Sequence, residues 1–278
     1  MLGALYNEIL HRPLLNLLVF FYNIFGDFGL AIIGVTVMVR LILYPIAKQS
    51  LEHQKKLKQL QPKLKKLQEK HKGDKEKLTA EMMNLYKEHN FNPASGCLPM
   101  IVQIIIFIAL YRVLIAGLGN LDQEQLYGFI PHPGKIDTSF LNLFDLSQKS
   151  ANLSFSELIK LNLGKGIEIL NTGGVILALI AGASQFFQTK HMMKMMEKKK
   201  KEETLNEKEK GKEEKEEKKE PDFSTEMGEA MQKQMLYFFP FLTVFIGLTF
   251  PAGLALYWVT STLLMIGQQW ILNREDKI

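Results

Sequence analysis

The side chain that asks most of its surroundings is Arg40, the only charged residue in the apolar run 30–47. Steps of four residues place Thr36, Arg40, Tyr44 and Lys48 on one stripe of a helix, with Val, Ile, Leu and Met on the opposite side. At ~1.5 Å per residue, Arg40 lies ~12 Å from Lys48 and ~15 Å from the other end of the run. A charge held at that depth in hydrocarbon costs at least ~2.5 kcal/mol. Two readings stand. In one, Arg40 snorkels to the headgroups on the Lys48 side. In the other, the stripe faces a hydrated cavity inside a bundle. No Asp or Glu occurs in any of the apolar runs, so the charge in such a cavity is uncompensated and attracts acidic or polar groups from outside the protein.

Other polar residues in the apolar runs could line the same cavity. They are Gln103; Ser184, Gln185, Gln188 and Thr189; Tyr257, Trp258, Thr260, Ser261 and Thr262; and Gln268 with Gln269. Each alone reads as a helix–helix hydrogen bond or an interfacial anchor. Their shared depth, on the side where Arg40 lies, favours the cavity. Arg112 lies near the opposite end of its run and is expected to snorkel outward. No catalytic constellation is present. The single Cys97 has no neighbouring His, the six His have no metal-ligand spacing, and the phosphate-loop and nucleophile-elbow patterns are missing. The sequence therefore points away from an enzyme and calls for no cofactor and no metal.

The elements that must position these residues follow from the segregation of the composition. Apolar residues make up 47% of 278 and charged residues 23%, averages that suit a soluble protein. The apolar residues are gathered in runs at 30–47, 98–118, 173–189 and 235–272, separated by blocks of Lys and Glu. A helix needs about 20 residues to cross the hydrocarbon. The last run is too long for one crossing, and Pro251-Ala252-Gly253 divides it as a tight turn would. Five spanning helices result, because a single chain satisfies its backbone in lipid most simply as helix. Ahead of them, 14–25 is apolar but too short to cross. Leu14, Leu18, Tyr22 and Phe25 recur at helical spacing behind Pro13, which reads as an amphipathic interfacial helix. A signal peptide is the competing reading; the segment lacks the basic start and the small-residue cleavage site.

Charge sets the orientation. Residues 48–90 carry 12 Lys and 6 acids, and 119–171 carry 4 Lys and 6 acids. Residues 190–233 balance 13 Lys against 13 acids, but 190–201 hold six Lys and one Glu. Basic loops stay in the cytoplasm, so the first and third loops are inside, the second is outside and the N-terminus is outside. In the first loop Leu57, Leu60, Leu64 and Leu67 form one apolar face. After a turn at 71–74, Leu78, Met82, Leu85 and Tyr86 form another. Two antiparallel amphipathic helices are expected, bent or broken at Pro62. Residues 199–220 are nearly all Lys and Glu and read as a solvated helix or a disordered strap. The cluster Met192, Met193, Met195 and Met196 reads as an interface patch, and the outer loop as an irregular cap.

Six stretches together resemble the YidC/Oxa/Alb family of membrane protein insertases in its short form. They are GVTVMVRLILYP (34–45), LQPK (60–63), EMMNLYK (81–87), NPASGCLP (92–99), the segment 103–111, and FPAGLALYW (250–258), the last followed by Gln268-Gln269. The resemblance runs through nearly the whole chain in order. It implies a groove open to the cytoplasm and to lipid but closed outside. The family's groove arginine and threonine fall on Arg40 and Thr36, and its aromatic pair on Tyr257 and Trp258. A groove glutamine falls on Gln185, with Gln188 as the alternative register. The long basic tail of some members has no counterpart after residue 272.

The expected fold is an all-α integral membrane protein. It has five transmembrane helices, an N-terminal amphipathic interfacial helix and a cytoplasmic helical hairpin. Its parts are the external interfacial helix (1–27), span one (28–48), the cytoplasmic hairpin (49–96), span two (97–118) and the extracytoplasmic loop (119–171). Span three (172–190), a charged cytoplasmic loop (191–233), span four (234–250), span five (252–272) and a cytoplasmic tail (273–278) follow. The expected groove is lined by Arg40, Thr36, Tyr44, Gln103, Gln185, Gln188, Tyr257 and Trp258. The expected place is the bacterial plasma membrane. The implied partners are nascent membrane proteins, a bilayer including anionic lipids, and the Sec translocon, ribosome or signal recognition machinery, with no specific nucleic acid. The alternatives are a small channel or transporter, and a folding scaffold that inserts nothing.

Overall fold

The structure, a computed structural model, describes residues 2–71, 73–92, 98–116, 121, 123–149, 172–209 and 223–275. The expected turn at 93–97 with Cys97, the Ser/Asn-rich part of the outer loop at 150–171, the middle of the Lys/Glu segment at 210–222 and the end of the tail lie outside the described residues. So do the side chains of Pro62, Met195 and Met196. The chain divides into two compact units.

The first unit comprises Met1–Pro45, Met100–Gln185 and Pro240–Ile278. It opens with α1 (Leu2–Tyr6), a π turn (Asn7–His11) and α2 (Arg12–Phe25). The π turn ends two residues before Pro13, which has no N–H to donate and crowds the carbonyl four residues back, that of Ile9 within the turn. Gly26 ends α2 with φ +66°, and its N–H donates to the Tyr22 carbonyl at 2.8 Å. Asp27 then caps α3 (Phe28–Ile42), its Oδ1 accepting from the Leu30 N–H at 2.8 Å. Both α2 and α9 (Ala252–Glu275) pack against α3. Their core is Leu14, Leu15 and Leu18 of α2, Phe28, Ala31, Ile32 and Val35 of α3, and Leu254, Ala255 and Tyr257 of α9. Helix α6 (Leu98–Ala116) adds Ile106, Ala109, Leu110, Val113 and Leu114, spaced three and four apart on one face. Gly34 lets α2 come close, since a Cβ there would stand 2.8 Å from the Phe21 ring. Arg112 is exposed, its guanidinium 4.8 Å from the centre of the Tyr6 ring.

The described part of the loop 119–171 is fastened to this core at many points. Buried Asn16 donates to the Arg12 and Gln125 carbonyls at 2.7 and 2.9 Å and accepts from the Tyr127 N–H at 2.6 Å. Asn23 donates to the Pro131 carbonyl, and the Tyr22 hydroxyl accepts from the Asp137 N–H, each at 2.9 Å. Strands β1 (Ser139–Phe140) and β2 (Phe144–Asp145) pair antiparallel around Leu141 and Asn142, both at positive φ. The second carboxylate oxygen of Asp27 accepts from the Leu141 N–H at 2.6 Å. The Gly253 and Ala252 N–H groups donate to the Leu146 and Gln148 carbonyls at 2.9 and 3.0 Å. The loop is thus hydrogen-bonded directly onto the turn between α8 (Phe223–Thr249) and α9.

The second unit comprises Ile46–Pro99 and Phe186–Phe239. Here α4 (Tyr44–Lys70) and α5 (Lys75–Glu88) join through a turn in which Gly73 has φ +92°. They share a small core of Leu60, Leu64 and Phe91, flanked by Met82, Leu85 and Tyr86. A carboxylate oxygen of Glu81 stands 3.0 Å from the His71 ring across the turn. Met192 and Met193 of α7 (Thr172–Glu209) are half-buried.

Two boundaries differ from those expected, and at Pro62 the helix is not broken. The first apolar run is broken. Helix α3 ends at Ile42, and α4 starts at Tyr44. Pro45 explains this, because it has no N–H to donate and its ring crowds the Leu41 carbonyl, so it is accommodated in the first turn of a new helix. Helix α4 then continues through position 62, and α7 extends from the apolar run into the Lys/Glu segment as far as Glu209. Among the described residues no single helix is long and apolar enough to cross a membrane. Phe28–Ile42 and Tyr44–Ser50 reach that length together, and Ile101–Ile115 and Leu236–Thr249 are shorter apolar helices. In the first unit many large apolar side chains are exposed, among them Leu41, Ile42, Ile104, Ile108, Leu179, Phe241 and Leu263.

Candidate functional site

Arg40 sits two residues before the end of α3, half-buried in the first unit. Its Nε donates to the Ser261 hydroxyl at 3.0 Å, and a terminal nitrogen reaches the same hydroxyl. That nitrogen also donates to Gln103 Oε1 at 3.1 Å. The Gln103 amide donates to the Tyr257 hydroxyl at 2.7 Å. Gln268 donates to the Arg40 backbone carbonyl at 3.2 Å, and its Oε1 is buried without a hydrogen-bond partner. Three helices therefore meet around Arg40: α3 carries it, α6 supplies Gln103 to its guanidinium, and α9 supplies Ser261 to the guanidinium, Tyr257 to Gln103 and Gln268 to the Arg40 carbonyl.

The chemistry of this cluster is unusual for a cation. Every partner is a hydroxyl or an amide, and among the described residues no carboxylate pairs with Arg40. Neutral dipoles solvate the charge without cancelling it. A guanidinium has five donors in a planar fork, so donors remain for an incoming acceptor. Carboxylates are the side chains that match this fork best.

The sequence-derived residues are distributed unevenly about this cluster. Arg40, Gln103 and Tyr257 come together. Thr36 is fully buried, and its hydroxyl donates to the Ile32 carbonyl of its own helix at 2.6 Å. Tyr44 is half-buried beyond the helix break and takes no part in the network. Trp258 donates through its ring nitrogen to Gln185 Oε1 at 3.3 Å, a second polar pair in the same unit, and its ring meets Phe107 edge-on at 5.7 Å. Gln188 is buried in the second unit. Ser261 is the group that sequence reasoning undervalued. It was legible as one cavity candidate among many. Its position one turn after Tyr257, with Gln268 two turns further on, already placed all three on one face of α9.

Comparison with known proteins bears on the same stretches. Residues 20–277 match the sequence model of the family described as 60Kd inner membrane protein. The chain is 31% identical over 264 residues to the membrane protein insertase YidC of Nitratidesulfovibrio vulgaris (strain DP4), covering 95% of this chain and 38% of that protein. It is 30% identical over 270 residues to the protein of the same name from Maridesulfovibrio salexigens, and 30% over 267 residues to that of Rickettsia akari. The latter two matches cover 97% and 96% of this chain and 39% of each relative. The chain thus spans about two fifths of the length of these relatives. By the extent of the match, this chain belongs to the 60Kd inner membrane protein family.

Proposed function

We propose that the chain acts as a membrane protein insertase of the bacterial plasma membrane. It passes short polar segments of client proteins through a hydrated groove while their apolar segments partition into lipid. The observation that carries this reading is the Arg40 cluster, a cation held by Ser261, Gln103 and their neighbours with no acid against it among the described residues. Moving a polar segment across hydrocarbon is costly because its hydrogen bonds to water are lost. Groups such as Arg40, Ser261 and the free acceptor of Gln268 replace part of that hydration. Burial of the client's apolar helix in lipid supplies the driving free energy.

The exposed apolar faces of the first unit support a lipid environment, since a water-soluble chain rarely leaves so many large aliphatic side chains bare. In this reading five helices span the bilayer, the N-terminal helix lies in the outer interface, and α4 with α5 forms a cytoplasmic hairpin. Clients meet that hairpin first, delivered by the Sec translocon, the ribosome or the signal recognition machinery, and the basic segments beside the spans hold anionic lipids. The tight bonding of the outer loop to the α8–α9 turn fits a groove closed on the outside. Gln185, Gln188, Thr36 and Tyr44 are proposed as further groove positions.

Reconstitution is the test. Purified protein in liposomes should insert a two-span client whose outer segment is short and acidic, as read by protease protection. Liposomes that conduct ions without any client would point instead to a channel. Protein that shields the client from aggregation yet leaves it accessible on both sides would point to a scaffold.

A further inference from the structure

A second polar feature lies in the first unit and shares no residue with the Arg40 cluster. A cleft of about 220 Å³ opens between the N-terminal helical run and the short 3₁₀ turn Gln123–Gln125. Its walls include Glu8, His11, Arg12 and Leu15 on one side and Glu124 on the other. Both signs of charge therefore face one small space. Arg12 is under-used there. It reaches Glu8 at 3.4 Å and the Glu124 carbonyl at 3.3 Å, both at the long limit of a hydrogen bond, and its Nε is buried without a partner. Its guanidinium is held in place over the Tyr127 ring at 5.3 Å. The fork is thus fixed in position with donors to spare.

The same helical run carries a separate apolar face. Leu5, Ile9, Phe20 and Ile24 are exposed and recur at multiples of a helical turn. A helix of this kind rests in the membrane interface with that face down, which puts the cleft beside it at headgroup depth. Pockets for drug-sized molecules run from about 300 to 1,000 Å³. The smaller cleft suits a headgroup whose acyl chains stay outside. We propose that it binds the phosphoethanolamine headgroup of an outer-leaflet phospholipid, with the phosphate on Arg12 and the ammonium toward Glu8 and Glu124. An anionic headgroup without an amine would set its charge against Glu8 and Glu124. A choline headgroup has no N–H to give their carboxylates. This inference rests on the membrane reading above but not on insertase activity.

Native mass spectrometry of the full chain, released from bilayers of equal phosphatidylethanolamine, phosphatidylglycerol and phosphatidylcholine, tests it. One phosphatidylethanolamine should be retained in preference to the others. Arg12→Ala should cut that retention about tenfold. Glu8→Gln, which keeps shape, should shift the preference toward phosphatidylglycerol. Soluble phosphoethanolamine at millimolar concentration should displace the lipid, whereas glycerophosphate should not. Equal retention of the three lipids, or retention unchanged in both variants, would overturn the proposal. So would binding of the soluble compound with no binding of the lipid. Arg40→Ala separates this site from the groove: it should retain the lipid while losing insertion of acidic clients. Loss of the lipid in that variant would also overturn the proposal.

Discussion

Arg40 is held by neutral dipoles, and Ser261 contributes most to the holding because one hydroxyl serves two guanidinium nitrogens. Ser261→Ala leaves Nε without a partner, a loss of about 1–3 kcal/mol. It should lower the melting temperature in detergent and slow insertion of acidic clients more than of neutral ones. Arg40→Ala should abolish insertion of acidic clients first. If only charge matters, Arg40→Lys keeps most of the activity; if the planar fork matters, it does not. Insertion assays on a paired acidic and neutral client read both variants. Asp145 is the second residue whose chemistry is explicit. Burial pushes its carboxyl up, but hydrogen bonds from the Thr138 and Ser147 hydroxyls, the Ser147 N–H and Gln148 outweigh that and hold it below the usual carboxylate range. A depressed folded value means that the carboxylate adds stability at any pH above its unfolded value, about 4. That contribution fades as pH falls toward the folded value. Hydrogen exchange of 138–148 should therefore speed up below about pH 4, and Asp145→Asn should remove that dependence.

At the scale of elements, the joints carry the design. Asp27 caps α3 with one oxygen and holds the β1–β2 turn with the other. Asp27→Ala should cost about 0.5–2 kcal/mol through the cap alone, seen as a lower melting temperature together with faster exchange at Leu141. The helix pair α4–α5 rests on a much smaller core. Leu64→Ala should cost about 2 kcal/mol, at the low end for a buried leucine because among the described residues Leu60, Phe91 and three half-buried neighbours are there to collapse around it. Limited proteolysis at the 71–74 turn should then speed up while the first unit resists as before. Much of this level was legible in the sequence. The leucine spacing gave α4 and α5, and Pro251 gave the break between α8 and α9. The break at Leu43 was not seen, because the run of apolar residues passes over it without interruption. Pro45 is a local signal, and it was outweighed by the run's length. The single helix expected to carry Thr36, Arg40, Tyr44 and Lys48 is interrupted there.

For the molecule as a whole, membership of the 60Kd inner membrane protein family and the exposed apolar faces of the first unit agree on a membrane setting. Cysteine labelling of single-Cys variants, with Cys97 replaced, should find positions in the α4–α5 turn accessible from the cytoplasm and positions near Phe129 accessible from outside. The opposite pattern would invert the proposed topology. The sequence alone determined the alternation of apolar and charged blocks, the helical periods and the isolation of Arg40 from any acid. These follow from composition and spacing, which hydropathy and helical geometry translate directly. Only the tertiary structure decided which of a dozen polar candidates meet. Gln103, Tyr257 and Ser261 lie 63, 217 and 221 positions from Arg40, and no periodicity within one helix reports the rotation of another about its axis. That rotation is set by packing, through Ala31, Ile32 and Val35 against Leu254, Ala255 and Tyr257. The close-packed core of the first unit chose the partners of Arg40.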